Sequence, residues 1–312
     1  MKATRESYGE ALADLGKMYE NIVVLDADLA GATKTSIFKE KFPDRFFDMG
    51  IAEQDLMGTA AGLALAGKLP FASTFAVFAS GRAYDQVRNT ICYGNINVKI
   101  AATHAGVTVG EDGGTHQALE DLSLMRGLPN MSVFSPSDDR QTRWLLEEMV
   151  KREGPMYIRL ARPATPEIYP EGFAFEYGKA VQHGIGTDAA IIATGVCVAE
   201  ALKAQRDLIG EGINVRVIDM HTIKPLDKEM VLKCARETKR IITVEDHGIT
   251  GGLGSAVCEV LCEEYFGSTS AEMVKVTRMG VKDEFGQSGT CDELMEYYRI
   301  DAKAIKEEAR RG

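Results

Sequence analysis

A single carboxylate at a predicted helix start is the most suggestive chemical feature of the sequence. Glu53 follows the segment 50–52 and precedes a run of small and apolar residues at 56–69. This pattern predicts a strand end, a tight turn and then a helix that begins near Glu53. The structural interpretation is that an acid in the first turn complements the helix macrodipole. The chemical interpretation is that apolar neighbours let the carboxyl group hold or share a proton near neutral pH.

A glycine-rich loop at 105–117 contains further polar side chains. It follows a predicted strand at 98–103, which ends in His104, and it includes Asp112 and His116. Such a loop is either mobile or close to a ligand, and this one lacks the lysine of a phosphate-binding P-loop. An imidazole titrates near working pH and can assist proton transfer, although a lone loop histidine can equally be a solvated surface residue.

Separated basic residues indicate an anion site in an otherwise acidic chain. Arg5, His104 and Arg162 lie at predicted strand or helix ends, while the formal net charge is -10. A guanidinium fork suits a phosphate group. Asp28 follows a buried strand, where open α/β sheets bind ligands, although turn chemistry explains an aspartate there as well.

The elements that would position these residues alternate between strand and helix. Predicted strands lie at 22–25, 71–78, 98–103, 132–137, 157–160, 189–193, 214–219, 240–244 and 273–277. Predicted helices lie at 4–19, 79–93, 138–151, 197–210, 227–238, 253–266 and 292–308, in addition to the helix that begins near Glu53. This alternation predicts two three-layer α/β/α domains with mostly parallel sheets. We expect these domains at 1–166 and 185–312, joined by a linker at 167–184 that contains Pro170 and Gly172.

Composition excludes several classes of function. The chain has 312 residues, of which 45% are hydrophobic, so two packed domains are feasible. The acidic balance argues against nucleic acid as the main partner, and no apolar run approaches the roughly 20 residues of a membrane helix. The N-terminus has no apolar signal region. None of the six cysteines forms a C-x-x-C pair, so we expect buried free thiols in a reducing cytoplasm and no zinc site.

Four segments in a fixed order resemble the transketolase family of thiamine diphosphate enzymes. They are 50–54, 74–78, 110–117 and 160–162, and the resemblance extends over essentially the whole chain. The closest match is to the C-terminal half of a transketolase, the kind encoded as a separate subunit. The resemblance implies a pyrimidine-binding domain followed by a transketolase C-terminal domain. It also implies transfer of a two-carbon ketol unit from a ketose phosphate to an aldose phosphate, in the pentose phosphate pathway.

The resemblance assigns the cofactor contacts to four residues. Glu53 matches the glutamate that bonds the aminopyrimidine ring of thiamine diphosphate and activates it by proton sharing. Phe78 matches the aromatic residue that stacks on this ring, with Phe75 beside it, although both could be ordinary core residues. Asp28 matches an aspartate that contacts the cofactor.

Five residues are assigned to the substrate by the same resemblance. Arg5 and Arg162 match arginines that bind the sugar phosphate, and His104 matches a histidine near that phosphate. Asp112 and His116 match residues that contact sugar hydroxyls, and His116 is also expected to act in proton transfer.

Departures from the family pattern affect both the pocket and the metal. Alanine and glycine occupy 30–32, where the family has a phosphate-binding serine, and Gly81 replaces an aromatic residue. No Gly-Asp-Gly segment occurs, although the family uses one, with a downstream Asn, to bind the metal and diphosphate. We therefore expect no metal ligands in this chain and Mg²⁺ ligands on a separate N-terminal subunit.

A face of small residues predicts how such subunits associate. Gly58, Ala61, Gly62 and Ala66 recur at helical spacing, so another backbone could approach closely. Self-association through this face would give an α2β2 assembly with the N-terminal subunit. The alternative is that the face packs inside its own domain.

Three other functions are compatible with parts of the pattern. The β subunit of a 2-oxo acid dehydrogenase has a similar length but lacks the motif at 110–117. A 1-deoxy-D-xylulose-5-phosphate synthase has a similar loop but carries an arginine in place of His104. A catalytically silent regulatory or binding subunit would share the fold, although the intact set of Glu53, Phe78, His116 and Arg162 argues against it.

Overall fold

Strands and helices alternate along the chain, which the computed structural model describes at residues 1–265 and 274–311. The strands of the first half are β1 (Lys2–Ala3), β2 (Ile22–Asp26), β3 (Phe46–Asp48), β4 (Leu69–Phe75), β5 (Lys99–Thr103), β6 (Ser132–Phe134), β7 (Met156–Leu160) and β8 (Ala164–Thr165). Its helices are α1 (Thr4–Met18), α2 (Ala30–Thr33), α3 (Ser36–Lys41), α4 (Glu53–Leu65), α5 (Asp121–Arg126) and α6 (Asp139–Lys151).

The second half continues this alternation. Its strands are β9 (Val181–His183), β10 (Ala189–Ala193), β11 (Val215–Asp219), β12 (Thr222–Lys224), β13 (Arg240–Gly248) and β14 (Lys275–Val281). Its helices are α7 (Cys197–Gly210), α8 (Lys228–Glu237), α9 (Leu253–Tyr265), α10 (Cys291–Tyr297) and α11 (Ala302–Arg310). None of the helices in the described residues of either half is both long and apolar enough to cross a membrane.

The first sheet has seven strands in the order β12-β6-β7-β5-β4-β2-β3. All neighbours are parallel except β12, which pairs antiparallel with β6. The register sets Phe75 of β4 beside Thr103 of β5, and Thr103 beside Leu160 of β7. Because parallel strands end at one edge, the residues that follow these three strands emerge close together.

Side chains of successive residues in β2 point to opposite faces of this sheet, as a strand requires. Leu25 packs in a cluster with Leu56 of α4, whereas Val24 packs in another with Leu12 of α1. All four side chains are fully buried. Apolar layers on both faces explain why the strand sequence is continuously hydrophobic.

The second sheet has the order β14-β13-β10-β11-β9, and only β9 is antiparallel to its neighbour. Ile191 of β10 packs with helix α7, while Ile192 packs in the cluster that contains Val257 of α9. Both halves therefore have helices on both faces of a mainly parallel sheet. The predicted fold class, two three-layer α/β/α domains, is confirmed.

Several predicted elements differ in detail. The prediction of one helix at 292–308 is wrong, because the segment forms the two helices α10 and α11. Arg299 between them adopts a left-handed φ of 58°, and the Asp301 side chain caps α11 by accepting a hydrogen bond from the Ala304 backbone N–H. The segment predicted as one helix at 79–93 contains two π-helical segments, Phe78–Arg82 and Gln86–Cys92. Phe266 and Met273, which end and begin predicted elements, lie outside the described residues.

Two strands bear on the predicted domain limits. β9 lies inside the predicted linker at 167–184, and β12 crosses from the second half into the first sheet. The boundaries at 166 and 185 stay predictions. The six cysteines are free thiols, of which Cys92, Cys197 and Cys234 are buried and Cys262 is exposed.

Candidate active site

Glu53 is a buried carboxylate with a cationic partner. It is the first residue of α4, its side chain is 1% exposed, and its Oε2 accepts a hydrogen bond from Arg82 Nη1 at 2.9 Å. The sequence predicted apolar neighbours for Glu53, and Ile51 and Met57 are among the apolar residues near it in the chain. Met57 is buried, but Ile51 is 76% exposed and does not enclose the carboxylate. The environment of Glu53 is therefore part apolar and part ionic.

Aromatic rings form an array beside this carboxylate. The Phe75 and Phe78 rings are stacked, with centroids 6.0 Å apart and an interplanar angle of 11°. The Arg82 guanidinium lies 4.5 Å from the centre of the Phe78 ring, so it joins Phe78 to Glu53. Sequence analysis missed Arg82. Its position four residues after Phe78 was an available signal, because residues at this spacing share a helix face.

His104 extends the array toward the arginines. Its ring stacks on Phe75 with centroids 3.9 Å apart, and its backbone has a φ of 56°. Arg5 Nη1 lies 3.3 Å from His104 Nε2, and a guanidinium can only donate, so Nε2 accepts. Nδ1 then carries the hydrogen and donates it to Thr103 Oγ1 at 2.9 Å. Burial, with the charges of Arg5 and Arg162, lowers the pKa of His104 to about 3.

The two predicted phosphate-binding arginines lie near each other but have different partners. Arg5 Nη1 donates to the Ala32 carbonyl at 2.9 Å, and its buried Nε has no hydrogen-bond partner among the described residues. Burial lowers the pKa of Arg5, and the positive charge of Arg162 lowers it further. Arg162 Nη1 donates to Glu111 Oε2 at 2.7 Å and to the Val109 carbonyl. Glu111 was not among the predicted site residues. Its carboxylate forms an ion pair with Arg162, at the guanidinium that an anionic ligand would bind.

The predicted sugar-contacting histidine is close to the rings. His116 presents an edge to Phe78, with centroids 5.6 Å apart and an interplanar angle of 78°. Its Nδ1 lies 3.0 Å from Thr115 Oγ1. This arrangement places an imidazole from the loop at 105–117 over the aromatic surface next to Glu53.

Two predicted site residues, Asp28 and Asp112, are exposed. Within residues 1–265 and 274–311, no hydrogen bond or ion pair joins either side chain to the other site residues. The neighbouring Asp26 has a structural role: it is buried and accepts hydrogen bonds from the Thr33 and Thr35 hydroxyls at 2.7 and 2.8 Å. These hydrogen bonds within the turn that follows β2 therefore explain why an aspartate occupies position 26.

The small-residue face of α4 is divided between core and solvent. Ala61 is buried, whereas a methyl group added at Gly58 or Gly62 would meet no atom within 4 Å. Gly81, next to Arg82, has the same open space. The side of α4 that carries Gly58 and Gly62 faces away from the buried Glu53 and is not covered by the described part of this chain. No group of three or more His, Cys, Asp or Glu residues suited to a metal ion occurs in that same part.

Two family models match the chain. Residues 1–167 match the transketolase pyrimidine-binding domain, and residues 178–305 match the transketolase C-terminal domain. The chain belongs to the transketolase family. Enzymes of this family depend on thiamine diphosphate, which is the cofactor that the resemblance implied.

Similar proteins include halves of transketolases. A Methanocaldococcus jannaschii protein, provisionally named as a transketolase C-terminal section, is 48% identical over 97% of this chain and 94% of its own length. A 6-deoxy-6-sulfo-D-fructose transketolase subunit from Clostridium sp. is 41% identical over 96% of this chain and 91% of its own. The solved structure of a split-gene transketolase, described as an inactive β4 tetramer, is 50% identical with a TM-score of 0.90. It matches 100% of this chain and 98% of that chain.

The environment of His104 leads to a prediction about its charge. Because burial and two arginines lower its pKa to about 3, the imidazole should stay neutral from pH 5 to 8. NMR titration of the ring nitrogens should show no midpoint in this range, with the His104→Gln spectrum identifying the signal. Arg5→Met removes one repelling charge and should raise the midpoint. A wild-type midpoint between pH 5 and 8 would contradict the assignment.

Proposed function

We propose that this chain is the C-terminal subunit of a split, thiamine diphosphate-dependent transketolase. The assembled enzyme transfers a two-carbon ketol unit from a ketose phosphate to an aldose phosphate. The observation that carries this proposal is the buried carboxylate of Glu53 beside the stacked Phe75 and Phe78 rings. The similarity to a transketolase section and to a transketolase subunit supports the split arrangement.

The residues present fit the aminopyrimidine part of thiamine diphosphate. Phe78 is half-buried, and Arg82 links its ring to Glu53, because the guanidinium lies 4.5 Å from the ring centre and donates to Glu53 Oε2. Glu53 Oε1 accepts no hydrogen bond from the described residues, so it is available to a ring nitrogen. When bound, the cofactor supplies an electron sink for the two-carbon unit. Glu53 would hold or share the proton at the ring nitrogen, Phe75 and Phe78 would orient the ring, and Asp28 would add a polar contact.

The anion-binding role falls to Arg5 and Arg162. A sugar phosphate would replace the Glu111 carboxylate on Arg162, and the nearby guanidinium of Arg5 would add positive charge. His104, which is neutral and accepts from Arg5, would hold that arginine in place. Asp112 and His116 would contact the sugar hydroxyls, and His116 would exchange protons with them.

The diphosphate and its Mg²⁺ would be held by an N-terminal partner subunit. A divalent cation of this kind requires several oxygen ligands, and the described residues provide no such cluster. The open side of α4 at Gly58 and Gly62 offers a surface on which a second copy of the pyrimidine domain can approach. Two chains and two partners would then form an α2β2 assembly with sites across interfaces. We place this enzyme in the cytoplasm and in the pentose phosphate pathway.

The partner requirement gives the decisive experiment. The purified chain should have no ketol-transfer activity with thiamine diphosphate, Mg²⁺, xylulose 5-phosphate and ribose 5-phosphate. Activity should appear when the candidate N-terminal subunit is added and should saturate at a one-to-one ratio. Full activity of the chain alone would refute the split-subunit proposal, and no activity at any ratio would refute the transketolase assignment for that pair.

Replacement of Glu53 tests its catalytic role. Glu53→Gln keeps the shape but cannot share a proton as a carboxyl group does, so kcat of the assembled enzyme should fall roughly 10²- to 10⁴-fold. The matched control is Glu147→Gln, which alters an exposed carboxylate on α6 and should leave kcat unchanged. Assembly of both variants is checked by size-exclusion chromatography. Near-wild-type turnover of assembled Glu53→Gln would remove this role.

Replacement of Arg162 tests the phosphate site. Arg162→Ala should raise KM for xylulose 5-phosphate much more than KM for unphosphorylated xylulose, because only the former has the anion. Glu111→Gln is the control, since it also breaks the ion pair but leaves the guanidinium free. This control should not raise KM for the phosphate ester. Equal KM effects of Arg162→Ala on both sugars would rule out phosphate binding.

A further inference from the structure

A carboxylate of the second half is bonded to the loop that carries Asp112 and His116. Asp246 lies in β13 and is 2% exposed. Its Oδ1 accepts from the Val107 backbone N–H at 2.8 Å, and its Oδ2 accepts from Thr108 Oγ1 at 2.6 Å. Hydrogen bonds in a buried, low-dielectric environment are stronger than those in water, so this contact fixes the beginning of the loop.

The end of the same loop is fastened by Arg159 of β7. Arg159 Nη2 donates to the Ala118 carbonyl at 3.2 Å and to the Asp246 carbonyl at 2.8 Å. Its Nε donates to Asp121 at 2.9 Å, so the guanidinium is itself held in place. The Gly106 backbone N–H donates to the Ala118 carbonyl at 2.9 Å, which closes the base of the loop. Both ends of the loop thus meet at β13.

The close approach of Asp246 demands glycine at position 106. Gly106 has a φ of 77°, and a methyl group on its Cα would lie 2.1 Å from Asp246 Oδ2. Gln117 Nε2 adds a third connection, because it donates to the Val107 carbonyl at 3.2 Å and to the Gln287 carbonyl at 3.0 Å. The second half therefore contacts the loop before Asp112 and after His116.

We infer that Asp246 is a positioning residue for the substrate-binding loop. Every predicted substrate contact lies in the first half of the chain, and Asp246 gives the second half an influence on Asp112 and His116 through the loop that carries them. The inference rests on the proposed function, in which these two residues contact the sugar. It assigns no contact between Asp246 and the cofactor, whose predicted ligands Glu53, Phe75 and Phe78 lie on other elements.

A matched pair of variants tests this role in the assembled enzyme. Asp246→Asn should raise KM for xylulose 5-phosphate roughly 10- to 100-fold, the usual effect of weakening a charged hydrogen bond. The thiamine diphosphate concentration that gives half-maximal activity should change less than about twofold, the size of an effect below 0.5 kcal/mol. Asp219→Asn is the control, because Asp219 is also a buried carboxylate at a strand end. It accepts from Ser137 at 2.7 Å and Tyr169 at 2.6 Å, outside the loop.

Asp219→Asn should change neither KM for xylulose 5-phosphate nor the thiamine diphosphate concentration for half-maximal activity, even if it lowers Tm. A KM increase of equal size in both variants would overturn the inference, as would an unchanged KM in Asp246→Asn. Parallel loss of cofactor affinity in Asp246→Asn would also overturn it, since that result indicates general distortion. Thr108→Val removes the hydroxyl donor without altering β13 and should raise KM in the same direction. If Asp246→Asn fails to fold, Thr108→Val decides the question by the same criteria.

A readout that needs no activity separates this inference from the proposed function. Hydrogen exchange of the backbone amides at 106–117, measured by mass spectrometry on the chain alone, should accelerate in Asp246→Asn and not in Asp219→Asn. Unchanged exchange in Asp246→Asn would overturn the anchoring. If the wild-type assembly shows no ketol transfer, the proposed function fails, and the exchange comparison alone decides whether Asp246 orders the loop.

Discussion

The in-register pairing of β4, β5 and β7 is the constraint on which the candidate site depends. Phe75 lies beside Thr103, and Thr103 lies beside Leu160, so three strand ends form one row. His104 follows Thr103 directly and therefore stacks on Phe75, while Arg162 follows two residues after Leu160. A slip of one residue would turn each of these side chains to the opposite face of the sheet. The register of the buried strands thus determines where the side chains of the candidate site lie.

Internal partners contact several charged groups of the site in the single chain, and two of these contacts are ion pairs. Glu53 is bonded to Arg82, Arg162 is bonded to Glu111, and Arg5 donates to the neutral ring of His104. A charge left without a partner in such a partly buried place would be costly. An anionic ligand that binds Arg162 must therefore displace the carboxylate of Glu111. This exchange reduces the net gain from each ionic contact and gives specificity to ligands that replace several contacts together.

Local patterns predicted the fold well, and tertiary contacts account for what they missed. Continuous apolar runs located Ile22–Asp26 and Ala189–Ala193, because burial on both faces leaves a direct signal in sequence. The start of α4 at Glu53 was also predicted. In contrast, the bond from Arg82 to Glu53 joins residues 29 positions apart, and that from Val107 to Asp246 joins residues 139 apart. No local pattern encodes such pairs, and the exposure of Asp28 and Asp112 depends on loop paths of the same kind.

Strand β12 has a consequence for the modularity of this chain. It belongs to the second half in sequence, but it forms the outer strand of the first sheet by pairing with β6. A cut or a recombination point in the segment 167–184 would leave β6 as an open edge, and open edges promote aggregation. The two α/β units are therefore poor candidates for exchange as independent cassettes. Genetic recombination that keeps the fold should therefore transfer both α/β units together.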